Sequence, residues 1–165
     1  MKLLSPSLLS ANFGNLERDI NIINQSDADW LHIDVMDLHF VPQLTFGAKI
    51  VQDIKKHGDY FCDVHLMVTN PQDHIMPFVK AGADLINFHY EAAVHADRMI
   101  TQIHENGKLA GVTINPTIRT KRIDIERTSF AVFSSPLPQY CAAKTLRPNT
   151  NALKNRLNTK ATCPA

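Results

Sequence analysis

Five short apolar stretches, beginning near residues 3, 30, 61, 85 and 109, constrain the fold more than any other feature of the chain. Each reads as a β-strand. The segments between them carry apolar residues at helical spacing: Phe13, Leu16, Ile20 and Ile23; Ile50, Val51 and Ile54; Ile75, Phe78 and Val79; Met99, Ile100 and Ile103. Helix limits are marked as well. Asn12 is an expected N-cap, Asn70-Pro71 places proline at a first helical position, and Gly107 is an expected stop for a helix over 96–106. The turn before a strand recurs as Asp27-Ala28-Asp29 and Gly82-Ala83-Asp84. Alternation of this kind implies a parallel sheet, because parallel neighbours need a crossover between them. The regular period, without a dinucleotide-type glycine-rich turn, favours a (β/α) barrel over a doubly wound sheet.

The pattern does not run to the end of the chain. Residues 1–115 carry 8 Lys and Arg against 14 Asp and Glu, whereas residues 116–165 carry 9 against 2. All six glycines lie at or before Gly111 and all eight histidines at or before His104. We therefore divide the chain into a partial barrel over 1–116, of about five βα units, and an irregular basic tail over 117–165. Ser134-Ser135-Pro136-Leu137-Pro138 breaks any regular element there. Leu153 and Leu157 offer one weak helical turn. The tail's charges are scattered and lack the aromatic pattern of single-strand binders, so no nucleic-acid partner is expected. The break itself is what a shifted reading frame or a mispredicted exon would leave.

A hydrophobic content of 44% and a charged content of 20% are those of a soluble globular domain. No apolar run approaches a membrane span, and no basic region leads into a long apolar one, so neither membrane nor secretion is expected. Cys62, Cys141 and Cys163 share no metal-type spacing and cannot all pair with one another. Free thiols in a reducing compartment, the cytoplasm, are the expectation.

Two strands carry the chemistry. Residues two apart on a strand share a face, so His32, Asp34 and Met36 project one way, and Asp63, His65 and Met67 do the same on a second strand. If these strands are neighbours, two imidazoles and a carboxylate converge in the donor set of a divalent transition metal. Taken singly, each histidine is as readily a hydrogen-bonded core residue. His89 ends a strand on the same side and is expected to line the pocket. Asp63 is expected to orient a ligand histidine and Asp37 to cap a loop. His39, His57, His74, His95 and His104 are expected at the surface or in loops.

Seven motifs then fall in order: Ser5-Pro6-Ser7-Leu8-Leu9-Ser10, His32-Ile33-Asp34-Val35-Met36-Asp37, His39-Phe40-Val41-Pro42, Asp63-Val64-His65-Leu66-Met67-Val68, Asn70-Pro71, Ala81-Gly82-Ala83-Asp84 and Asn115-Pro116. Together they resemble the ribulose-phosphate 3-epimerases over residues 1–116; residues 117–165 do not. The resemblance implies a TIM (β/α)8-type barrel and a cytoplasmic isomerase of pentose phosphate metabolism. Such an enzyme interconverts ribulose 5-phosphate and xylulose 5-phosphate by moving a proton at carbon three. It further implies one divalent metal ion (zinc, iron(II), manganese or cobalt) held by His32, Asp34 and His65. Asp34 would also be an acid/base residue, and Ser7, His65, Met36 and Met67 would touch substrate. Homo-oligomers are left open.

The family's later glycine-rich phosphate loops, third methionine and second metal-binding aspartate have no counterpart here. The absent fourth ligand should weaken metal binding. Leu38 stands where the family commonly has glycine. A related epimerase of allulose 6-phosphate is an enzymatic alternative. A non-catalytic remnant that associates with intact subunits, or misfolds, is the rival from another class.

Overall fold

A computed structural model of the chain describes residues 4–115 and the strand 130–133. Among the described residues five strands form one sheet in chain order: β1 Leu31–Met36, β2 Cys62–Met67, β3 Leu85–His89, β4 Leu109–Ile114 and β5 Phe130–Phe133. Every pairing is parallel. Sequential order with no strand skipped is what a barrel wall requires, and the described residues form part of a (β/α) barrel. The helices α1 Leu16–Asn24, α2 Ala48–His57, α3 Pro71–Ala81 and α4 Ala96–Glu105 alternate with the strands. None is long and apolar enough to cross a membrane.

Local chemistry sets these limits as expected. The Asn12 side chain accepts from the Gly14 N–H at 3.0 Å, while Asp19 accepts from the Asn12 N–H at 2.8 Å. Asn12 thereby caps a short 3-10 turn that leads into α1. Pro71 starts α3, and Gly82 ends it at φ +99°, a left-handed conformation that a side chain would strain. Two residues on, buried Asp84 accepts from the Cys62 N–H at 2.9 Å and from Lys55 Nζ at 2.5 Å. The recurrent turn thus ties α2, β2 and β3 together.

The sheet separates its side chains by parity. Ile33, Val35, Val64, Leu66, Ile86, Phe88, Ala110 and Val112 join Val51, Ile54, Ile75, Phe78, Met99 and Ile103 of the helices in one apolar core. Burying an aliphatic or aromatic side chain of this size is worth about 1.5–3 kcal/mol, and this layer holds the wall together. The opposite, inner face carries the polar residues. Below them, toward the strand starts, Trp30 stacks on Phe61 at 4.6 Å beside Leu85 and Leu109.

Two expectations are corrected. The first strand, expected from Leu3 to Leu9, is reduced to a lone parallel bridge between Ser7 and His32. Leu4 and Pro6 offer their carbonyls to Trp30 and His32, but Pro6 has no N–H to give. The Ser7 hydroxyl then accepts from the Leu9 N–H at 3.1 Å and turns the chain into a 3-10 helix at Leu8–Ser10. The second correction is β5. It lies inside the stretch expected to be irregular, yet pairs with β4 in the register Gly111↔Phe130 to Ile114↔Phe133. A four-residue apolar run, Phe130-Ala131-Val132-Phe133, was masked by the basic composition around it. The expected turn at Leu153 and Leu157 lies outside the described residues.

Candidate functional site

Register decides which side chains meet. His32 pairs with Asp63, Asp34 with His65, and Met36 with Met67. His65 pairs in turn with Asn87, and His89 with Thr113. Inner-face residues therefore stack in successive rows across the strands, with Asp34, His65, Asn87 and Gly111 forming one row across four of them. His89 is the last residue of β3, as expected. His32 is the second residue of β1 and His65 the fourth of β2, so both histidines sit below the ends of their strands.

At the centre, Asp34 Oδ1 lies 3.1 Å from His32 Nε2 and 3.1 Å from His65 Nδ1. Its other oxygen accepts from the Ser7 hydroxyl. All three residues of the His32–Asp34–His65 group are buried, and their ligand atoms lie within 4.8 Å of one another. Among the described residues no other such group of three or more occurs. Burial would raise the Asp34 pKa, but hydrogen bonds and positive charge from His32 and His65 outweigh it and hold the carboxyl well below the usual range. Asp34 is thus a carboxylate at neutral pH.

The donor set fits a divalent ion. His32 Nδ1 is 2.7 Å from Asp63 Oδ2, so Nδ1 carries the proton it donates there. A neutral His32 then points a lone pair from Nε2 at the lone pairs of Asp34 Oδ1. A cation between them, or a second ring proton, resolves that conflict. Ligand atoms about 3–3.5 Å apart are also what bonds of about 2.0–2.2 Å to a tetrahedral ion produce. Asp63 takes the orienting part expected of it, while its second oxygen has no hydrogen-bond partner.

The surrounding residues fix the strand end. The Thr45 hydroxyl donates to the Asp34 carbonyl at 2.6 Å and accepts from the Met36 N–H at 3.1 Å. Asp37 caps its loop as expected, accepting from the N–H groups of His39 and Phe40 and from Thr69. Burial pushes the Asp37 pKa up, but the donors from Thr69, Phe40 and His39 together outweigh it and hold the carboxyl well below its ordinary value. Leu38 takes φ +66°, a left-handed conformation that strains its side chain. His39, His57, His95 and His104 are exposed and His74 is half-buried.

His89 lies closer to the centre than a pocket lining requires. Its Nε2 is 3.0 Å from His65 Nε2, and Phe40 packs against its ring at 4.7 Å. Burial first, and then the charge of His65, bring its pKa down to about 4 against an opposing pull from Glu91. Glu91, Asn87, Thr113 and Thr45 were not anticipated. The same two-residue alternation that placed His89 also places Asn87, whose Oδ1 accepts from Thr113 at 2.7 Å. Gly111 leaves room for it, since a Cβ there would lie 3.1 Å from the Asn87 side chain.

Solved structures with the same strand–helix arrangement include 7,8-dihydropteroate synthase from Vibrio fischeri (TM-score 0.50, 68% of this chain and 45% of that one) and DHPS from Yersinia pestis (TM-score 0.53, 73% and 46%). Each is 12% identical, and the likeness concerns the fold alone. Sequence relatives are nearer. A ribulose-phosphate 3-epimerase of Treponema pallidum is 47% identical over 114 residues, covering 69% of this chain and 52% of that protein. One from Bacillus subtilis is 46% identical over 113 residues, 68% and 52%. The cytoplasmic isoform of Oryza sativa is 43% identical over 114 residues, 68% and 50%. The chain spans about half the length of these curated relatives. A sequence model described as the ribulose-phosphate 3 epimerase family matches residues 3–130, reaching past the boundary at 116 to the first residue of β5, and the chain belongs to that family.

Proposed function

We propose that this chain carries the proton-abstracting half of a metal-assisted sugar-phosphate epimerase acting at carbon three, between ribulose 5-phosphate and xylulose 5-phosphate. The observation that carries the reading is the convergence of His32 Nε2, Asp34 Oδ1 and His65 Nδ1 on one buried point in a member of this family. His32, Asp34 and His65 would hold one divalent ion: zinc, iron(II), manganese or cobalt. When bound, the ion supplies positive charge beside the ketone and hydroxyl oxygens where negative charge develops.

The chain's own residues do the rest. Asp34, a carboxylate aligned by the Ser7 hydroxyl and two imidazoles, takes the carbon-three proton from one face of the sugar. Positioned acid–base help of this kind is worth about 10²–10⁴-fold in rate. Met36 and Met67, paired in register beside the ligands, give the reacting carbon an apolar cover that excludes water. Ser7 and His65 contact the substrate oxygens. Inversion needs a second group on the opposite face, and Asp34 serves one face only. The reading includes a cytoplasmic location, supported by the naming of the rice relative.

The experiment is an epimerase assay on the purified chain with each of the four metals, run in deuterated water. Conversion of ribulose 5-phosphate, with deuterium entering at carbon three, supports the reading. Deuterium exchange without inversion supports the half-reaction alone. Neither exchange nor conversion, together with co-purification of the chain with an intact epimerase, supports the non-catalytic remnant instead.

A further inference from the structure

Each candidate ligand histidine has a far nitrogen that is also held, but the two are held differently. His32 reaches a carboxylate directly, through the 2.7 Å contact to Asp63. His65 reaches one only through another imidazole. Its Nε2 meets His89 Nε2 at 3.0 Å, and His89 Nδ1 lies 3.5 Å from Glu91 Oε2. The two rings have centroids 5.1 Å apart and planes inclined by 22°. That separation is nearly the largest that rings joined through nitrogens at 3.0 Å can have. They meet edge to edge, as an N–H···N hydrogen bond requires, rather than face to face.

One proton must lie between the two Nε2 atoms, and its owner fixes everything else. In one arrangement His89 keeps it. His65 then carries its own proton on Nδ1 and donates to Asp34, while His89 Nδ1 is bare against the Glu91 carboxylate. The 3.5 Å separation and the absence of a hydrogen-bond partner at His89 Nδ1 match that arrangement. In the other, His65 carries its proton on Nε2 and donates to His89. His65 Nδ1 is then a bare donor atom facing Asp34 Oδ1, and His89 Nδ1–H donates to Glu91. Each ring keeps one proton in both, so the exchange needs no net uptake or release.

We propose that His89, backed by Glu91, is the positioning residue that sets the tautomer of His65 and so makes Nδ1 its metal-facing nitrogen. Glu91 is suited to the part because it is itself anchored: its Oε1 accepts from the Asn115 N–H at the end of β4. His89 ends β3 and Glu91 follows it in a 3-10 turn tied to the end of β4, so residues beyond β2 govern a ligand on β2. The inference rests on the metal-site reading above.

The test uses the full chain labelled with ¹⁵N-histidine, with Zn(II) as probe. Long-range proton–nitrogen spectra report which ring nitrogen is protonated. On adding Zn(II), the proton of His65 should be on Nε2 and that of His89 on Nδ1. Competition against a chromophoric chelator should show a His89→Leu chain binding Zn(II) about 10–100-fold more weakly. His89→Gln, whose side-chain carbonyl accepts the same N–H, should recover most of that loss. Glu91→Gln, a surface change that leaves both rings in place, should give a smaller loss and return the His89 proton to Nε2. Zn(II) binding equal to the parent in a cooperatively melting His89→Leu chain, or His65 still protonated at Nδ1 with Zn(II) bound, would overturn the inference. If His89→Leu does not fold, the Glu91→Gln spectra decide. A parent chain that takes up no Zn(II) counts against the metal site itself.

Discussion

The two faces of the same four strands are buried to the same degree and built from opposite chemistry. Outward, Ile33, Val64, Leu66, Ile86 and Phe88 are each fully buried against helices. Inward, His32, Asp34, Asp63, His65, Asn87, His89 and Thr113 are all buried as well. Apolar burial stabilises without further conditions. Polar burial costs free energy unless every donor and acceptor finds a partner. The inner face meets that demand only in part: a connected chain runs from Ser7 through Asp34 and the imidazoles to Glu91, and orphaned atoms remain on Asp63, Asn87 and His89. One face is specified by stability and the other by what it can hold.

The largest test of that contrast is on the outer face. Phe88→Ala should destabilise the chain by about 3–5 kcal/mol, read by urea unfolding, because it opens a cavity in the apolar core that the sheet shares with the helices. An effect below about 1 kcal/mol would mean that the helices do not pack as described. Next in size, and on the inner face, Asp34→Ala should lower divalent metal affinity by about 100-fold or more in a competition assay, since it removes a ligand and not merely a supporting group. Unchanged affinity would make the inner face an ordinary satisfied core.

Smaller effects come from the loop that follows β1, between the faces. Leu38→Gly should raise stability by about 0.5–1 kcal/mol, because relief of the left-handed strain exceeds the added entropy of the unfolded glycine. A loss would show that the exposed leucine makes a contact that matters. Asp37 supplies a pH test. Its folded pKa is depressed, so its stabilising contribution is present above the unfolded carboxyl range and disappears as pH falls through the folded value. The melting temperature of the parent should therefore converge on that of Asp37→Asn in acid, and a gap that persists would remove the loop cap from the account. The smallest signal is a null one. Cys62 faces outward and burial raises its thiol to about 12. Iodoacetamide at neutral pH should leave the Cys62 peptide unmodified until the chain is unfolded.

The sequence was most legible where a repeat and a parity rule acted together. Two-residue alternation placed His32, Asp34, Asp63 and His65 on one face, and the register did bring them together. Asn12, Pro71 and Gly107 marked helix ends because their backbone preferences are local. Longer-range facts were hidden. Nothing near Ser7 said that one bridge would replace a strand, since that follows from the Pro6 missing donor and the Ser7 side-chain turn combined. β5 is set by pairing with β4 across a segment whose composition argued against it. Glu91 was overlooked because its partners, His89 and Asn115, come from two different strand ends.

The central claim is that two imidazoles and one carboxylate form a single cation site. Anomalous diffraction from crystals of the chain grown with zinc tests it most directly. One strong peak is expected about 2.0–2.2 Å from His32 Nε2, Asp34 Oδ1 and His65 Nδ1. Zinc bound elsewhere, with those three atoms still joined only by their mutual hydrogen bonds, would contradict it.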